Sequence, residues 1–147
     1  DLVINLQGDE PFMPLDLLSN LINDFGNKDC DVISASHPIY NDEDLSNKNC
    51  VKVIINNRGY AETFERNLTK ELDDSVMRHI GIYGYKYRTL SKIINLEPTP
   101  NELEHKLEQL RFLDNNLSIY MSQYKGDVPP GIDTQEDVIR AEEYLKI

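Results

Sequence analysis

The chain has 147 residues, enough for one domain of ordinary size around a single hydrophobic core. Hydrophobic residues make up 39% and charged residues 28%, a globular composition rather than a disordered one. The formal net charge of -11 repels polyanions and no Lys/Arg cluster offsets it, so no nucleic-acid partner is expected.

No apolar run approaches the ~20 residues that a bilayer crossing needs, so no membrane association is expected. The first residues lack the basic segment and cleavage site of a signal peptide. Cys30 and Cys50 are too few for a disulfide framework or a thiolate metal site, and read as reduced thiols. A cytoplasmic location is the expectation.

The chain opens inside an almost continuous apolar run, Leu2-Val3-Ile4-Asn5-Leu6. Such a run reads as a strand covered on both faces, as in a parallel sheet. Opening there, without an initiator methionine, it is expected to be a fragment whose preceding half is missing. Gln7-Gly8-Asp9-Glu10-Pro11 is turn chemistry at the strand's C-terminal end. Pro14 suits a first helical turn. Leu17, Leu18, Leu21, Ile22 and Phe25 follow at helical spacing, with Gly26 as the stop. Asp31–Ser36 is the next strand, and the β-α-β order predicts a parallel pair with a right-handed crossover.

Residues 51–55 and 60–64 flank Asn56-Asn57-Arg58-Gly59, a hairpin signal because Asn and Gly accept positive φ. A strand is expected over 77–85 and a short helix over 89–96. Thr99-Pro100-Asn101-Glu102 has the form of a capping box. It opens a helix in which Leu103, Leu107, Leu110 and Leu113 share one face. Residues 117–124 read as a strand, and Asp133-Thr134-Gln135-Glu136 opens a terminal helix. The predicted class is α/β, with a mostly parallel sheet and an antiparallel hairpin arm.

Ligands of parallel α/β sheets collect at the carboxyl ends of the strands, so Asp9 is placed to offer a carboxylate to a metal or substrate. On the pentapeptide alone it reads rather as the residue that starts a turn. Asp133 is either a second carboxylate or a helix cap paired with Glu136. Two such carboxylates suit Mg²⁺, which takes oxygen ligands and shares them with phosphates. Strand alternation puts His79, Gly81 and Tyr83 on one face, opposite Ile80, Ile82 and Gly84. That polar face either admits a ligand or belongs to an ordinary core strand relieved by its glycines. Glu108 and Gln109 read as solvated helix residues, and His37 and His105 as structural.

Five segments in order resemble one family, the 3-deoxy-manno-octulosonate (Kdo) cytidylyltransferases, or CMP-Kdo synthetases. They are residues 5–11 (NLQGDEP), 51–53 (VKV), 78–85 (RHIGIYGY), 107–111 (LEQLR) and 131–137 (GIDTQED). The resemblance implies a Rossmann-like nucleotide-diphospho-sugar transferase fold. Residues 1–147 would form the C-terminal part of a single cytidylyltransferase domain, carrying the sugar-acid and metal sites and the dimer interface. It implies a nucleotidyltransferase that converts CTP and Kdo to CMP-Kdo and diphosphate for lipopolysaccharide biosynthesis, as a cytoplasmic homodimer with Mg²⁺. Asp9 and Asp133 look like the family's catalytic, magnesium-holding aspartates. Gln7, Arg66, His79, Tyr83, Glu108 and Gln109 look like its sugar-acid contacts.

After Arg66 the chain departs from the family. Asn67-Leu68-Thr69-Lys70-Glu71 lacks the usual Ile-Pro, and the connection to Met77 is short. That keeps open another 2-keto sugar acid, an amino-Kdo or a nonulosonate-like one. A non-catalytic sugar-binding or dimerisation module is the alternative of a different class.

Overall fold

The structure, a computed structural model, describes residues 1–40, 42–129, 131–132 and 134–146, the side chain of Glu43 excepted. The strands are β1 (Leu2–Leu6), β2 (Val32–Pro38), β3 (Lys52–Ile55), β4 (Ala61–Glu65), β5 (Val76–Lys86) and β6 (Ile119–Gln123). The helices are α1 (Leu15–Asn27), α2 (Asp42–Ser46), α3 (Tyr87–Ile93), α4 (Pro100–His105), α5 (Gln109–Asp114) and α6 (Gln135–Tyr144). Among the described residues no helix is long and apolar enough to cross a membrane.

One mixed sheet organises the chain in the order β4-β3-β5-β2-β6, with β1 on β5. The α/β class and the hairpin arm match expectation, but the mostly parallel sheet does not. The described pairings are antiparallel except β2 with β6. β1 and β2 do run the same way, as a β-α-β unit requires, yet β5 lies antiparallel between them. Gly84 makes that slot usable. A Cβ there would lie 2.7 Å from Ile33 Cγ2 on one flank and 3.0 Å from Leu2 Cδ1 on the other.

β1 is not covered on both faces either: Val3 is 37% and Leu6 47% exposed. It pairs with β5 alone, and only its Ile4 side packs against the core beneath α1.

α1 buries Leu17 and Leu21 against Ile33, Ala35, Ile80 and Ile82 on one face of the sheet. Its expected stop, Gly26, lies inside the last turn, and Lys28 caps the helix. The other face carries Val53, Phe64, Tyr83 and Tyr85, packed against Ile93, Leu110 and Phe112. The alternation predicted along β5 therefore holds, with Tyr83 and Ile82 in opposite layers. In the hairpin turn Gly59 takes φ 87°, and the Asn56 side chain accepts from the Arg58 and Tyr60 amides.

The single helix expected over 100–113 is two. Thr99 makes the capping box with Glu102, but Lys106 turns left-handed at φ 54° and α5 restarts at Gln109. Glu102 shows why. Its carboxylate grips Arg111 at 2.6 and 2.7 Å, whereas nine residues of continuous helix would separate the two by about 14 Å. Leu103, predicted on the buried stripe, is 64% exposed as a result.

Candidate functional site

The C-terminal end of β1, the middle of β5, the start of α5 and the segment leading into α6 surround a cavity of about 460 Å³. Each wall is set by a local rule. β1 ends in a turn closed by the Glu10 amide on the Gln7 carbonyl at 3.1 Å, which leaves Gln7 and Asp9 at the cavity. Gln7 lies so close over β5 that a Cβ on Gly81 would be 3.3 Å from its Oε1. The break at Lys106 brings Glu108, exposed, and Gln109, buried, to the cavity from the start of α5. Gln109 is buried rather than solvated, and its amide has no partner among the described residues.

His79 and Tyr83 line the cavity from β5, with their rings 5.5 Å apart. Burial depresses the His79 imidazole to about 4, so the ring is neutral at physiological pH. Burial raises the Tyr83 phenol far above its ordinary range, with Tyr85 and Glu108 adding to it, so Tyr83 is a neutral hydroxyl.

Arg66 follows β4 at the cavity mouth. Its guanidinium donates to the Lys106 carbonyl at 3.2 Å and the Lys48 carbonyl at 3.4 Å, and no carboxylate pairs with it among the described residues. Its main chain is fastened by the fully buried Lys52, whose amine donates to the Arg66 carbonyl at 3.1 Å and the Asn47 carbonyl at 2.7 Å. Of the other cations on the cavity, Arg78 approaches Asp44 at 3.8 Å and Arg140 approaches Asp137 at 3.6 Å, while exposed Lys106 has no carboxylate partner among the described residues.

Gln7, Asp9 and Arg66 thus share one cavity with His79, Tyr83, Glu108 and Gln109. Asp133 lies outside the described residues. The cap of α6 is Thr134, not Asp133, and its partner is Asp137, not Glu136. The Thr134 hydroxyl accepts from the Asp137 amide at 3.2 Å, and the Asp137 carboxylate accepts from the Thr134 amide at 2.9 Å. The Ile132 amide donates to the Asp9 carbonyl at 2.8 Å, fastening this segment to the β1 turn.

Among the described residues no group of three metal-ligating side chains gathers. The Asp9 carboxylate is exposed at the cavity and has no hydrogen-bond or ion-pair partner among those residues. An oxygen donor so placed fits a hard cation that keeps waters and phosphate oxygens as its remaining ligands.

One residue escaped the sequence: Ser34 of β2, buried beneath the site. Its hydroxyl lies 2.9 Å from His79 Nε2 and donates to the Ile82 carbonyl at 2.8 Å. The partners are 45 and 48 positions away, and no local pattern announces them.

A family model described as cytidylyltransferase matches residues 1–119. A 3-deoxy-manno-octulosonate cytidylyltransferase of Fusobacterium nucleatum is 36% identical over 151 residues, covering 99% of this chain and 61% of that protein. One from Coxiella burnetii is 34% identical over 158 residues, covering 99% of this chain and 64% of that protein. Among solved structures, a CMP:2-keto-3-deoxy-manno-octonic acid synthetase complexed with CTP superposes with a TM-score of 0.87 at 27% identity. That match covers all of this chain and 63% of the other. The chain spans about three-fifths of the length of the curated relatives it matches.

Proposed function

The chain belongs to the cytidylyltransferase family, and we propose that the protein carrying it transfers the CMP unit of CTP to Kdo, releasing diphosphate. The observation that carries this reading is Arg66: a guanidinium at the cavity with no carboxylate partner among the described residues. A sugar acid supplies the missing anion, and a guanidinium meets a carboxylate through two parallel hydrogen bonds that a lysine cannot make. The relatives named as Kdo cytidylyltransferases, and the solved synthetase that holds CTP, support the nucleotide and the acceptor.

In the proposed reaction a sugar hydroxyl attacks the α-phosphorus of CTP. The new P–O bond forms as the bond to diphosphate breaks, and the hydroxyl proton is lost. Asp9 and Asp133 would hold Mg²⁺, which when bound offsets phosphate charge and lowers the pKa of the attacking hydroxyl. The chain's own contribution is placement. Arg66 anchors the carboxylate, and neutral His79 and Tyr83 hydrogen-bond hydroxyls from one strand face. Gln7, Glu108 and Gln109 complete the wall. Holding the acceptor in line this way removes much of the entropic barrier.

In this reading residues 1–147 carry the acceptor and metal half of a single domain, and the CTP phosphates are cradled by sequence outside it. A cytoplasmic homodimer working with Mg²⁺ belongs to the same proposal, and the two free cysteines are in keeping with a reducing compartment.

The test is diphosphate release by the full-length protein given CTP, Mg²⁺ and a panel of 2-keto sugar acids. Release with Kdo is the expected result. Release only with another acid moves the acceptor and points to the short segment after Arg66, where Glu65 binds the Thr69 amide at 2.8 Å. No release from folded protein overturns the reading in favour of a binding module.

A further inference from the structure

We propose that Ser34 is a positioning residue that fixes the tautomer of His79, so that the site reads a hydrogen-donating hydroxyl of its ligand at His79 Nδ1. The register of β2 on β5 jumps between Ser34, opposite Tyr83, and Ala35, opposite Ile80, leaving Gly81 and Ile82 of β5 in a bulge. Ser34, fully buried, turns its hydroxyl into that bulge.

Three groups surround this oxygen: the Ile82 carbonyl at 2.8 Å, the Ile80 carbonyl at 3.4 Å and His79 Nε2 at 2.9 Å. A hydroxyl has one proton to give. Both carbonyls can only accept, so the proton goes to Ile82, the nearer of them. Toward His79 the Ser34 oxygen is therefore an acceptor, and Nε2 carries the hydrogen. Giving the proton to Nε2 instead would deprive both carbonyls of the Ser34 donor.

Burial keeps the ring neutral, so it holds a single proton, and Nδ1 is left with its lone pair. Nδ1 has no partner among the described residues, and His79 lines the cavity. Phe64 and Tyr83 flank the ring at 5.1 and 5.5 Å and restrain its orientation. A lone pair at that position accepts from a hydroxyl and repels a carboxylate or phosphate oxygen. The site thereby separates its tasks: Arg66 takes the ligand's anion, and His79 checks for a hydroxyl. An analogue with hydrogen or a carbonyl there leaves Nδ1 unpaired. This specificity rests on the acceptor being a polyhydroxy acid as proposed above; the tautomer does not.

The tautomer is read directly from two-bond proton–nitrogen spectra of protein labelled at its three histidines, with His79→Gln assigning the signal. Expected for the wild type at neutral pH is a protonated Nε2 and a lone-pair Nδ1. Ser34→Ala should replace this pattern by a mixture of the two tautomers, and Ser34→Thr should restore it. A protonated Nδ1 in the wild type, or an unchanged pattern in folded Ser34→Ala, overturns the proposal. Should Ser34→Ala fail to fold, the wild-type spectrum alone decides. In the active full-length protein Ser34→Ala should raise KM for the acceptor about twofold, in proportion to the fraction of His79 that no longer carries its hydrogen on Nε2, and leave KM for CTP unchanged. An equal rise for both substrates would show a merely structural role. Absence of any turnover would remove the proposed reaction and leave the spectroscopic answer standing.

Discussion

Ile132 donates its backbone amide to the carbonyl of Asp9 at 2.8 Å, so the segment entering α6 is fastened to the turn that ends β1. The two residues are far apart in sequence, and the bond brings Gly131 and Ile132 beside the Asp9 turn. Gly131 allows that closeness: a Cβ there would lie 3.1 Å from the same Asp9 carbonyl.

Asp9→Asn is expected to abolish turnover of the full-length protein while leaving its circular dichroism and melting temperature close to wild type. The carboxylate is exposed and unpaired among the described residues, so the fold loses nothing with its charge. Retention of most activity would reduce Asp9 to a turn residue.

Arg66→Lys should raise KM for the acceptor acid by about tenfold to a hundredfold, the loss of one or two charge-assisted hydrogen bonds, with a smaller effect on KM for CTP. Steady-state kinetics with each substrate varied in turn checks it. Equal effects on both substrates would place Arg66 outside acceptor recognition.

Gly84→Ala is expected to destabilise the chain by about 1–3 kcal/mol, because the new methyl group collides with Ile33 and Leu2 on opposite flanks of β5. Urea unfolding monitored by fluorescence or circular dichroism measures the change. Gly26→Ala, where nothing lies within 4 Å of the added carbon, should instead be neutral or mildly stabilising.

His79 makes stability depend on pH. Its pKa falls from 6.5 to about 4 in the folded chain, so between these values the unfolded chain binds more protons. Stability is full above pH 6.5 and is lost progressively as pH falls toward 4. The loss is a few kcal/mol at most, because each tenfold change in proton affinity is worth about 1.4 kcal/mol. Asp73, held from 3.8 down to about 2 by Lys70 and Ser75, weakens the fold only at lower pH. His79→Gln should therefore flatten the unfolding profile between pH 6.5 and 4; an unchanged slope would assign it to other groups.

The strands, the hairpin at Asn56–Gly59, the capping box at Thr99 and the polar face of β5 were legible in residues 1–147, because each is written in neighbours a few positions apart. Turn residues, helical spacing and strand alternation act over that range. Seven of the eight candidate site residues line one cavity, and the eighth, Asp133, lies outside the described residues. Sequence order alone could not decide between a ligand and a cap at these positions. In the structure Thr134 caps α6, and the Asp9 carboxylate is exposed at the cavity with no partner among the described residues.

What the tertiary structure alone decided are the relations that span the chain. β5 lies between β1 and β2 because Gly84 leaves room there for Ile33 and Leu2. The helix after Thr99 breaks at Lys106, and the break lets Glu102 and Arg111 close on each other. Ser34 meets His79 because a bulge in β5 turns a carbonyl toward it. In each case a tertiary contact acts where the local preference is worth only a fraction of a kcal/mol per residue, and packing decides where propensity is nearly neutral.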